Sequence, residues 1–229
     1  MKKGNLHYIV AASRVILFDF DGPICSLFAG VSAGEIAELL IGVLRSRSAV
    51  VDRDAFDASD PLDVLQYSAR FGPSVVADVE DELIRAELEV VRSAAPTPAG
   101  AEAIRSCVES GRRAAVVSNN AASAVVDYLS NRGLDTFVHT VVGRTYGAPQ
   151  RMKPSAEPVE RALEALSAKP SAAVLVGDSP GDILAAQAAA TASIGFANRP
   201  SKWRRLAAAD VIIDDMAELA AALDSAPVE

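Results

Sequence analysis

Val15-Ile16-Leu17-Phe18, followed at once by Asp19-Phe20-Asp21-Gly22-Pro23, predicts a buried β-strand that ends in two carboxylates on a tight turn. Because side chains alternate between the faces of a strand, Asp19 and Asp21 can point the same way while Phe20 returns to the core. The two charges become tolerable if a hard cation such as Mg²⁺ lies between them, or if one carboxyl is held protonated and serves as an acid. Taken alone, the motif also fits a solvated Asp-Gly turn at the end of an ordinary strand.

Two later segments repeat this arrangement of an apolar run followed by polar residues. Ala114-Ala115-Val116-Val117 predicts a second buried strand, which leads into Ser118-Asn119-Asn120 just before the helical pattern of residues 121–131. A helix that starts directly after a strand leaves unpaired N–H groups at the sheet edge, and these suit a phosphate. Residues 172–176 predict a third strand, which ends in Gly177-Asp178 with Asp182 one helical turn further on.

Lys153-Pro154 lies between these two segments. Ser155 is predicted to cap a helix patterned by Val159, Leu163 and Leu166, so that Lys153 stands at a helix entrance. The helix dipole disfavours a cation at such a position. This favours a functional role for Lys153 over that of a surface lysine.

The alternation of short apolar strands with helices predicts an α/β protein with a doubly wound, Rossmann-like parallel sheet. One stretch differs, because its apolar residues recur only at helical spacing: Ile36, Leu39, Leu40, Val43 and Leu44, then Leu62, Val64, Leu65 and Ala69 after Asp60-Pro61, then positions from Val75 to Val91. We therefore predict a core domain of residues 1–24 and 98–229, and an all-helical insertion of residues 25–97.

Composition sets further limits. With 229 residues, half of them hydrophobic, the chain is long enough for one domain and an insertion. The formal charge of -8 argues against a general affinity for nucleic acid or for an anionic membrane. No apolar run approaches the roughly 18 residues of a membrane span, and Met1-Lys2-Lys3 is not followed by a signal-peptide core, so a cytoplasmic location is expected. Cys25 and Cys107 match no metal or disulfide spacing and are expected to be reduced thiols.

In combination, the motifs resemble those of the haloacid dehalogenase-like (HAD) superfamily, and are most similar to its small-molecule phosphatases of the phosphoglycolate-phosphatase group. The resemblance spans most of the chain and rests on four motifs in the same order: Asp19-Phe20-Asp21-Gly22, Ser118-Asn119, Lys153-Pro154, and Gly177-Asp178 with Asp182. It implies that residues 25–97 form a mobile helical cap domain. A helical decoration that never moves is the alternative.

The resemblance also implies a reaction, the Mg²⁺-dependent hydrolysis of a small phosphate monoester through an aspartyl-phosphate intermediate. Asp19 would be the nucleophile, and Asp21 would protonate the leaving oxygen and then deprotonate the hydrolytic water. Ser118 and Asn119 would hold phosphoryl oxygens, and Lys153 would bind them and supply a fixed positive charge for catalysis.

The metal ligands that the resemblance implies are again acidic residues at the ends of strands. Asp19, the main-chain carbonyl of Asp21, and Asp178 would bind Mg²⁺, with water completing the octahedron. Asp182 is placed in the same group, and it would orient Lys153 or a metal-bound water more plausibly than ligate directly.

Branches of the superfamily can be separated on single residues. Asp21 distinguishes the chain from the carbon–halogen hydrolases, which lack the second aspartate. The phosphonate-cleaving branch uses a cap lysine, and this chain has no lysine between Lys3 and Lys153. A phosphomutase stays as an alternative, as does a catalytically silent module that binds a phosphorylated ligand or a protein partner.

A small phosphorylated metabolite is the expected partner, with no nucleic acid and no membrane, and the chain is expected to be a monomer or a homodimer. The predicted insertion carries several arginines, which are either contacts for an anionic leaving group or solvated residues of helix faces: Arg45, Arg47, Arg53, Arg70, Arg85 and Arg92.

Overall fold

Eight strands are present in the part of the chain that the structure, a computed structural model, describes, namely residues 5–28, 30, 32–47 and 49–228. They are β1 (Val15–Phe18), β2 (Cys25–Ser26), β3 (Ala95–Pro96), β4 (Arg113–Val117), β5 (Val138–Val142), β6 (Ala173–Gly177), β7 (Ala192–Phe196) and β8 (Val211–Ile213). Six of them form one sheet in the order β5-β4-β1-β6-β7-β8, in which every neighbouring pair is parallel. The predicted parallel sheet is confirmed.

The register of the central strands places the polar motifs at one edge. Phe18, the last residue of β1, pairs with Val116 of β4 on one side and with Val176 of β6 on the other. The residues that follow these three strands therefore emerge side by side. In open α/β sheets this carboxyl edge, where the strand order reverses, is the usual place for a ligand.

Helices cover both faces of the sheet. They are α1 (Leu6–Ala12), α2 (Ala33–Ser46), α3 (Pro61–Ser68), α4 (Pro73–Val90), α5 (Gly100–Glu109), α6 (Ala122–Asn131), α7 (Glu157–Ala165), α8 (Pro180–Ala188), α9 (Lys202–Arg205) and α10 (Met216–Asp224). Ile16 and Phe18 face the apolar cluster that includes α5, α6 and α10, while Val15 and Leu17 face the cluster that includes α7 and α8. Because both faces of β1 are buried, its sequence is a continuous apolar run. The doubly wound arrangement is confirmed.

Three α-helices, α2, α3 and α4, lie between β2 and β3, as the helical spacing predicts, and together with the turns that join them to each other and to these strands we call them the helical insertion. Ser32 and Glu35 form a capping box at the start of α2, and the Asp60 carboxylate accepts from the Leu62 N–H at the start of α3. These side chains satisfy backbone N–H groups that the first turn of a helix leaves unpaired. The sequence predicts that α3 extends to Ala69, but this residue belongs to a short 3₁₀ turn that follows the helix.

The two passages between the sheet and the helical insertion run alongside each other. Strands β2 and β3 form a two-stranded antiparallel ribbon, with Cys25 opposite Pro96 and Ser26 opposite Ala95. Both cysteines of the chain are buried free thiols, as the sequence predicts. That residues 25–97 form a separate, mobile domain stays a prediction.

Helix α1 lies near the start of the described residues and includes Val10, which is fully buried. The Asn5 side chain caps this helix by accepting from the Tyr8 N–H, and α1 packs against α10. Within the described ranges, no helix combines the length and apolar character that a membrane crossing requires.

Candidate active site

A cavity of about 620 Å³ opens at the carboxyl edge of the sheet. Its floor consists of residues that follow β1, β4 and β6, and its opposite wall comes from the start of α2 and from α3 with the turn before it. The lining residues are Asp19, Asp21, Phe28, Ala33, Ser59, Asp60, Pro61, Leu62, Asp63, Gln66, Ser118, Asn119, Asn120, Lys153, Pro154, Asp178, Ser179, Gly181 and Asp182. Every residue that the sequence predicts for the site lies on this cavity.

Asp19 and Asp21 both line the cavity, while Phe20 between them is fully buried in the core. Asp19 continues the β1 ladder, because its N–H donates to the Val176 carbonyl at 2.8 Å. The Asp21 carboxylate accepts from the Leu27 N–H at 2.8 Å. One Asp21 oxygen is thus fixed by the loop that leads into the helical insertion.

Both carboxyl groups are harder to ionise than an aspartate in water. Burial raises the pKa of Asp21 to about 6, against the opposing effect of the Leu27 N–H. Burial and repulsion by Asp182 hold the pKa of Asp19 well above its usual range, although Lys153 lowers it. The floor of the cavity is therefore short of positive charge.

Lys153 brings a fixed cation into this group. Its ammonium donates to Asp19 Oδ1 at 2.8 Å, to Asp182 Oδ1 at 2.6 Å and to the Val117 carbonyl at 2.9 Å. Burial alone would lower the pKa of Lys153, but the Asp182 and Asp19 carboxylates outweigh it and raise that pKa above its usual range. The ammonium group stays charged and has three fixed acceptors.

The backbone around Lys153 differs from the prediction. Helix α7 begins at Glu157, so Lys153 lies in a turn ahead of the helix and not at its entrance. Ala156, not Ser155, is the N-cap residue of α7. The Ser155 N–H closes a turn onto the Met152 carbonyl, and the Ser155 hydroxyl accepts from the Glu157 N–H. The dipole argument for Lys153 therefore fails.

Asn119 determines where Lys153 sits. Its side-chain amide donates to the Lys153 carbonyl at 3.0 Å, and its side-chain oxygen accepts from the Lys153 N–H at 2.8 Å. The role predicted for Asn119 uses its backbone N–H toward phosphate. The positioning role of its side chain was missed.

Asp178 lies just ahead of α8, and Asp182 lies in its first turn. Asp182 accepts from the Ser179 N–H and hydroxyl through Oδ2 and from Lys153 through Oδ1, so both of its oxygens have donors. Asp19, Asp178 and Asp182 each offer a ligand oxygen, and these three atoms lie within 4.8 Å of one another. A Cβ at Gly22, where φ is +119°, would lie 2.3 Å from the Asp178 carboxyl carbon, so only glycine allows this approach.

Lys202 reaches the same group from α9 and was not predicted. Its ammonium pairs with Asp178 Oδ2. Burial raises the pKa of Asp178 above its usual value, and Lys202 opposes that shift. Lys202 carries no motif, and only the fold brings α9 back to the end of β6.

Ser118 follows β4 at the buried end of the cavity. Its hydroxyl donates to Asn120 Oδ1 at 3.0 Å and accepts from the Asn120 N–H at 3.1 Å. Glu87 of α4 in turn accepts from the Asn120 amide at 2.9 Å and from the Ala121 N–H at 3.0 Å. The helical insertion is thus linked to the loop predicted to bind phosphate.

A second group of buried charges, which we call the Arg144 cluster, holds α4 against the sheet. Arg144 donates to Glu80 at 2.7 Å and to both oxygens of Glu87 at 2.7 and 2.8 Å, and the Gly147 N–H donates to the other Glu80 oxygen at 2.8 Å. One signal could have revealed it. Glu80 and Glu87 are seven residues apart, on the same face of α4 as the buried apolar residues.

The arginines of the helical insertion lie away from the cavity, and the sequence had left open whether any contacts substrate. Arg47 pairs with Asp78 at 2.6 Å, Arg53 with Glu38, and Arg85 with Glu82. Arg70 lies over the Tyr67 ring, and neither Arg45 nor Arg92 belongs to the lining. Lys153 is the one cationic side chain that lines the cavity among the described residues.

Solved structures with the same fold are readily found. The phosphate complex of CbbY from Rhodobacter sphaeroides has a TM-score of 0.65 at 20% identity, covering 93% of this chain and 99% of that one. A β-phosphoglucomutase from Clostridium difficile has a TM-score of 0.64 at 14% identity, covering 90% and 93%. A predicted phosphoglycolate phosphatase from Haemophilus somnus gives 0.60 at 19%, covering 91% and 96%. At such identities the likeness establishes the fold.

Comparison of sequences identifies relatives of higher identity and a matching family. Pyrophosphatase PpaX of Halalkalibacterium halodurans is 31% identical over 120 residues, which are 52% of this chain and 55% of that protein, and PpaX of Bacillus cereus is 32% identical over the same shares. The chain thus spans about half the length of the curated relatives that it matches. The family model described as haloacid dehalogenase-like hydrolase matches residues 59–196, which include α3, α4 and three of the four motifs. With this match over more than half of its length, the chain belongs to the haloacid dehalogenase-like hydrolase family.

Proposed function

We propose that the protein is a Mg²⁺-dependent phosphatase that hydrolyses a small phosphate monoester through a phosphorylated Asp19. One observation carries the proposal. The Asp19 carboxylate lies on a cavity at the end of the central strand, hydrogen bonded to a buried ammonium and next to a second carboxyl group. A nucleophile, a fixed cation and an acid are the parts that phosphoryl transfer from an ester needs.

In the first step, an Asp19 oxygen attacks phosphorus while the bond from phosphorus to the ester oxygen breaks. Asp21 donates its proton to the departing oxygen and releases an alcohol. In the second step, Asp21 takes a proton from water, which attacks phosphorus, frees phosphate and restores Asp19. A pKa of about 6 suits Asp21 to both roles near neutral pH.

The transferred phosphoryl group needs donors around its oxygens. We assign Lys153 this role, with Ser118 and the Asn119 backbone N–H. The hydrogen bonds from Asn119 to the Lys153 backbone and from Lys153 to Asp182 support a preorganised donor. Such a donor loses little free energy in reorganisation when charge develops on the phosphoryl oxygens.

The site suits Mg²⁺ as well. Its available donors are hard carboxylate oxygens close together, and burial, together with repulsion by Asp182, raises the pKa of Asp19, so that a bound cation would favour its ionised form. Asp19, Asp178 and the Asp21 carbonyl would hold the ion. We assign Asp182 mainly to the orientation of Lys153, because both of its oxygens already accept hydrogen bonds. When bound, Mg²⁺ supplies positive charge next to the phosphoryl oxygens.

We also propose that residues 25–97 act as a cap over this site. Residues of α2 and α3 line the wall opposite Asp19, which supports the assignment. The β2–β3 ribbon lies where the two passages of a hinge would run. A cap of this kind would exclude water from the first step.

Two measurements test the proposal. Phosphate release from a panel of monoesters should require Mg²⁺, should stop with a chelator and should return when Mg²⁺ is restored. Asp19→Asn should lower the rate roughly 10⁴-fold or more and abolish hydroxylamine-sensitive phosphorylation of the protein, because an amide is a poor nucleophile. Asp54→Asn, at an exposed position outside the cavity, is the matched control and should keep the wild-type rate.

Three results would contradict the proposal. They are a wild-type rate in Asp19→Asn, no release from any ester, and turnover that needs no divalent ion. Phosphorus NMR can monitor a hexose phosphate during the reaction. If it is converted into its isomer and no free phosphate is released, the same site belongs to a phosphomutase.

A further inference from the structure

We infer that the alcohol released from the substrate is neutral or cationic and carries no second anionic group. This inference rests on the proposed function, because it concerns the part of the ester that faces away from Asp19. The substrate class is then phosphorylated polyols or amino alcohols. Phosphorylated acids, bisphosphates and pyrophosphate are disfavoured.

The wall opposite Asp19 is acidic. From the helical insertion it includes Asp60 and Asp63, together with uncharged side chains such as Ser59 and Gln66. No cationic side chain of the described insertion residues is part of it. A carboxylate or second phosphate on the leaving group would meet two like charges without a counter-ion.

The start of α3 offers an anion no compensation, although a helix N-terminus normally attracts one. Pro61, the first helical residue, has no N–H. The Asp60 carboxylate already accepts from the Leu62 N–H at 2.9 Å, and Asp63 adds a second negative charge in the first turn. The helix end that faces the cavity is therefore neutralised by its own side chains.

The cations of the insertion that could offset these charges are engaged elsewhere or lie outside the cavity. Arg47, Arg53 and Arg85 pair with acids on the insertion itself, and Arg70 lies over a tyrosine ring. Lys153 lines the floor but is held by Asp19 and Asp182. The phosphoryl end of the cavity thus has the one lysine, and the charged side chains of the leaving-group end are both acids.

What this wall can bind is a donor of hydrogen bonds. Carboxylates accept from hydroxyl or ammonium groups, and such charge-assisted bonds are the strong ones. Burial, with Asp63 and Asp57 nearby, raises the pKa of Asp60, although the Leu62 N–H opposes the shift. A donor or positive charge on the leaving group would relieve that repulsion.

The test compares esters that differ in one group. Glycerol 3-phosphate and 3-phosphoglycerate differ by a hydroxymethyl against a carboxylate, and phosphoethanolamine and phosphoglycolate by an aminomethyl against a carboxylate. With Mg²⁺ present, the wild-type kcat/KM should be at least about tenfold higher for the first member of each pair, as expected for one repulsive contact. Pyrophosphate should be a poor substrate.

The variant Asp60→Asn/Asp63→Asn assigns the preference to this wall. Asparagine keeps a helix-capping oxygen at residue 60 while removing the charge. The double variant should raise kcat/KM for 3-phosphoglycerate and phosphoglycolate, so that the ratio within each pair falls several-fold. Asp54→Asn removes one charge from the same segment outside the cavity and should leave both ratios unchanged.

Each outcome decides a separate point. Equal or faster hydrolysis of the acids would overturn the inference while the phosphatase function stands. A preference that survives unchanged in the double variant would overturn its assignment to Asp60 and Asp63. If the wild-type protein hydrolysed none of these esters faster than Asp19→Asn does, the proposed function and the inference would both fail.

Discussion

Two groups of buried charges have nearly the same composition and opposite surroundings. Lys153 lies between Asp19 and Asp182, and the Arg144 cluster places one arginine between Glu80 and Glu87. The side chains of Arg144, Glu80 and Glu87 are each at most 1% exposed, and that of Lys153 is 3% exposed. Burial of a cation between carboxylates therefore does not by itself identify an active site.

The difference lies in what happens to the carboxylate oxygens. In the Arg144 cluster all four accept a hydrogen bond from the arginine, from the Asn120 amide or from the backbone N–H groups of Ala121 and Gly147. At the other site, Asp19 and Asp21 line a cavity together with Asp178. A network in which every carboxylate oxygen accepts a hydrogen bond holds elements together, whereas carboxylates left facing a cavity are free for a ligand or for chemistry.

Lys153→Met tests the more reactive of the two groups and should have the largest effect. Loss of a preorganised cation from the phosphoryl site should lower kcat roughly 10³-fold, by analogy with the removal of one oxyanion donor. Lys169→Met, at an exposed position, should keep the wild-type rate. Circular dichroism would verify that both variants fold, and a Lys153→Met rate within tenfold of wild type would contradict the assignment.

Arg144→Met tests the closed group and should act on stability. It leaves two buried glutamates without their counter-ion, which should lower the free energy of unfolding by about 3 kcal/mol. Urea denaturation provides the measurement. Arg85→Met is the matched control on α4, because the Arg85–Glu82 pair is exposed and such pairs contribute little. Equal stability of the two variants would show that the Arg144 cluster does not hold α4 to the sheet.

The sequence could predict the edge of the sheet because its signals are local. An apolar run followed by Asp19, Ser118 or Asp178 identifies the end of a strand, and parallel strands bring their ends to one edge. The helices of the insertion could also be predicted, because apolar spacing and the helix start at Asp60-Pro61 are local signals as well. The residue roles and the domain bounds stay predictions.

The spacing of Glu80 and Glu87 could have indicated a buried charged pair, but their partner could not be predicted, because Arg144 is 57 and 64 residues from them in the sequence. The helix α4 was predicted from its apolar residues alone, and this criterion does not detect Glu80 and Glu87 on the buried face. Lys202 was missed because only the return of α9 to the sheet edge gives it a partner. The cap predicted at Ser155 was wrong because a turn intervenes before α7.

Glu87→Gln tests whether the Arg144 cluster affects the active site through Asn120 and Ser118. Glutamine keeps the shape but loses the charge opposite Arg144, which should lower stability by about 1–2 kcal/mol. It should also lower kcat several-fold, because Glu87 holds the Asn120 amide and Asn120 bonds the Ser118 hydroxyl. Glu80→Gln contacts the same arginine but not Asn120, and should lose stability with a smaller loss of kcat. Equal kcat values in the two variants would limit the Arg144 cluster to a structural role.

Lys202→Met should give the smallest effect, and it tests whether the cation on Asp178 belongs to the site. The Lys202 ammonium pairs with the oxygen that a bound Mg²⁺ would also attract. Its removal should lower the Mg²⁺ concentration for half-maximal phosphate release about threefold, a change of about 0.7 kcal/mol. A Mg²⁺ titration at fixed substrate measures it, with Lys169→Met as the control. An increased requirement for Mg²⁺ would instead mean that Lys202 holds Asp178 in a ligating position, as Arg144 holds the two glutamates in the closed group.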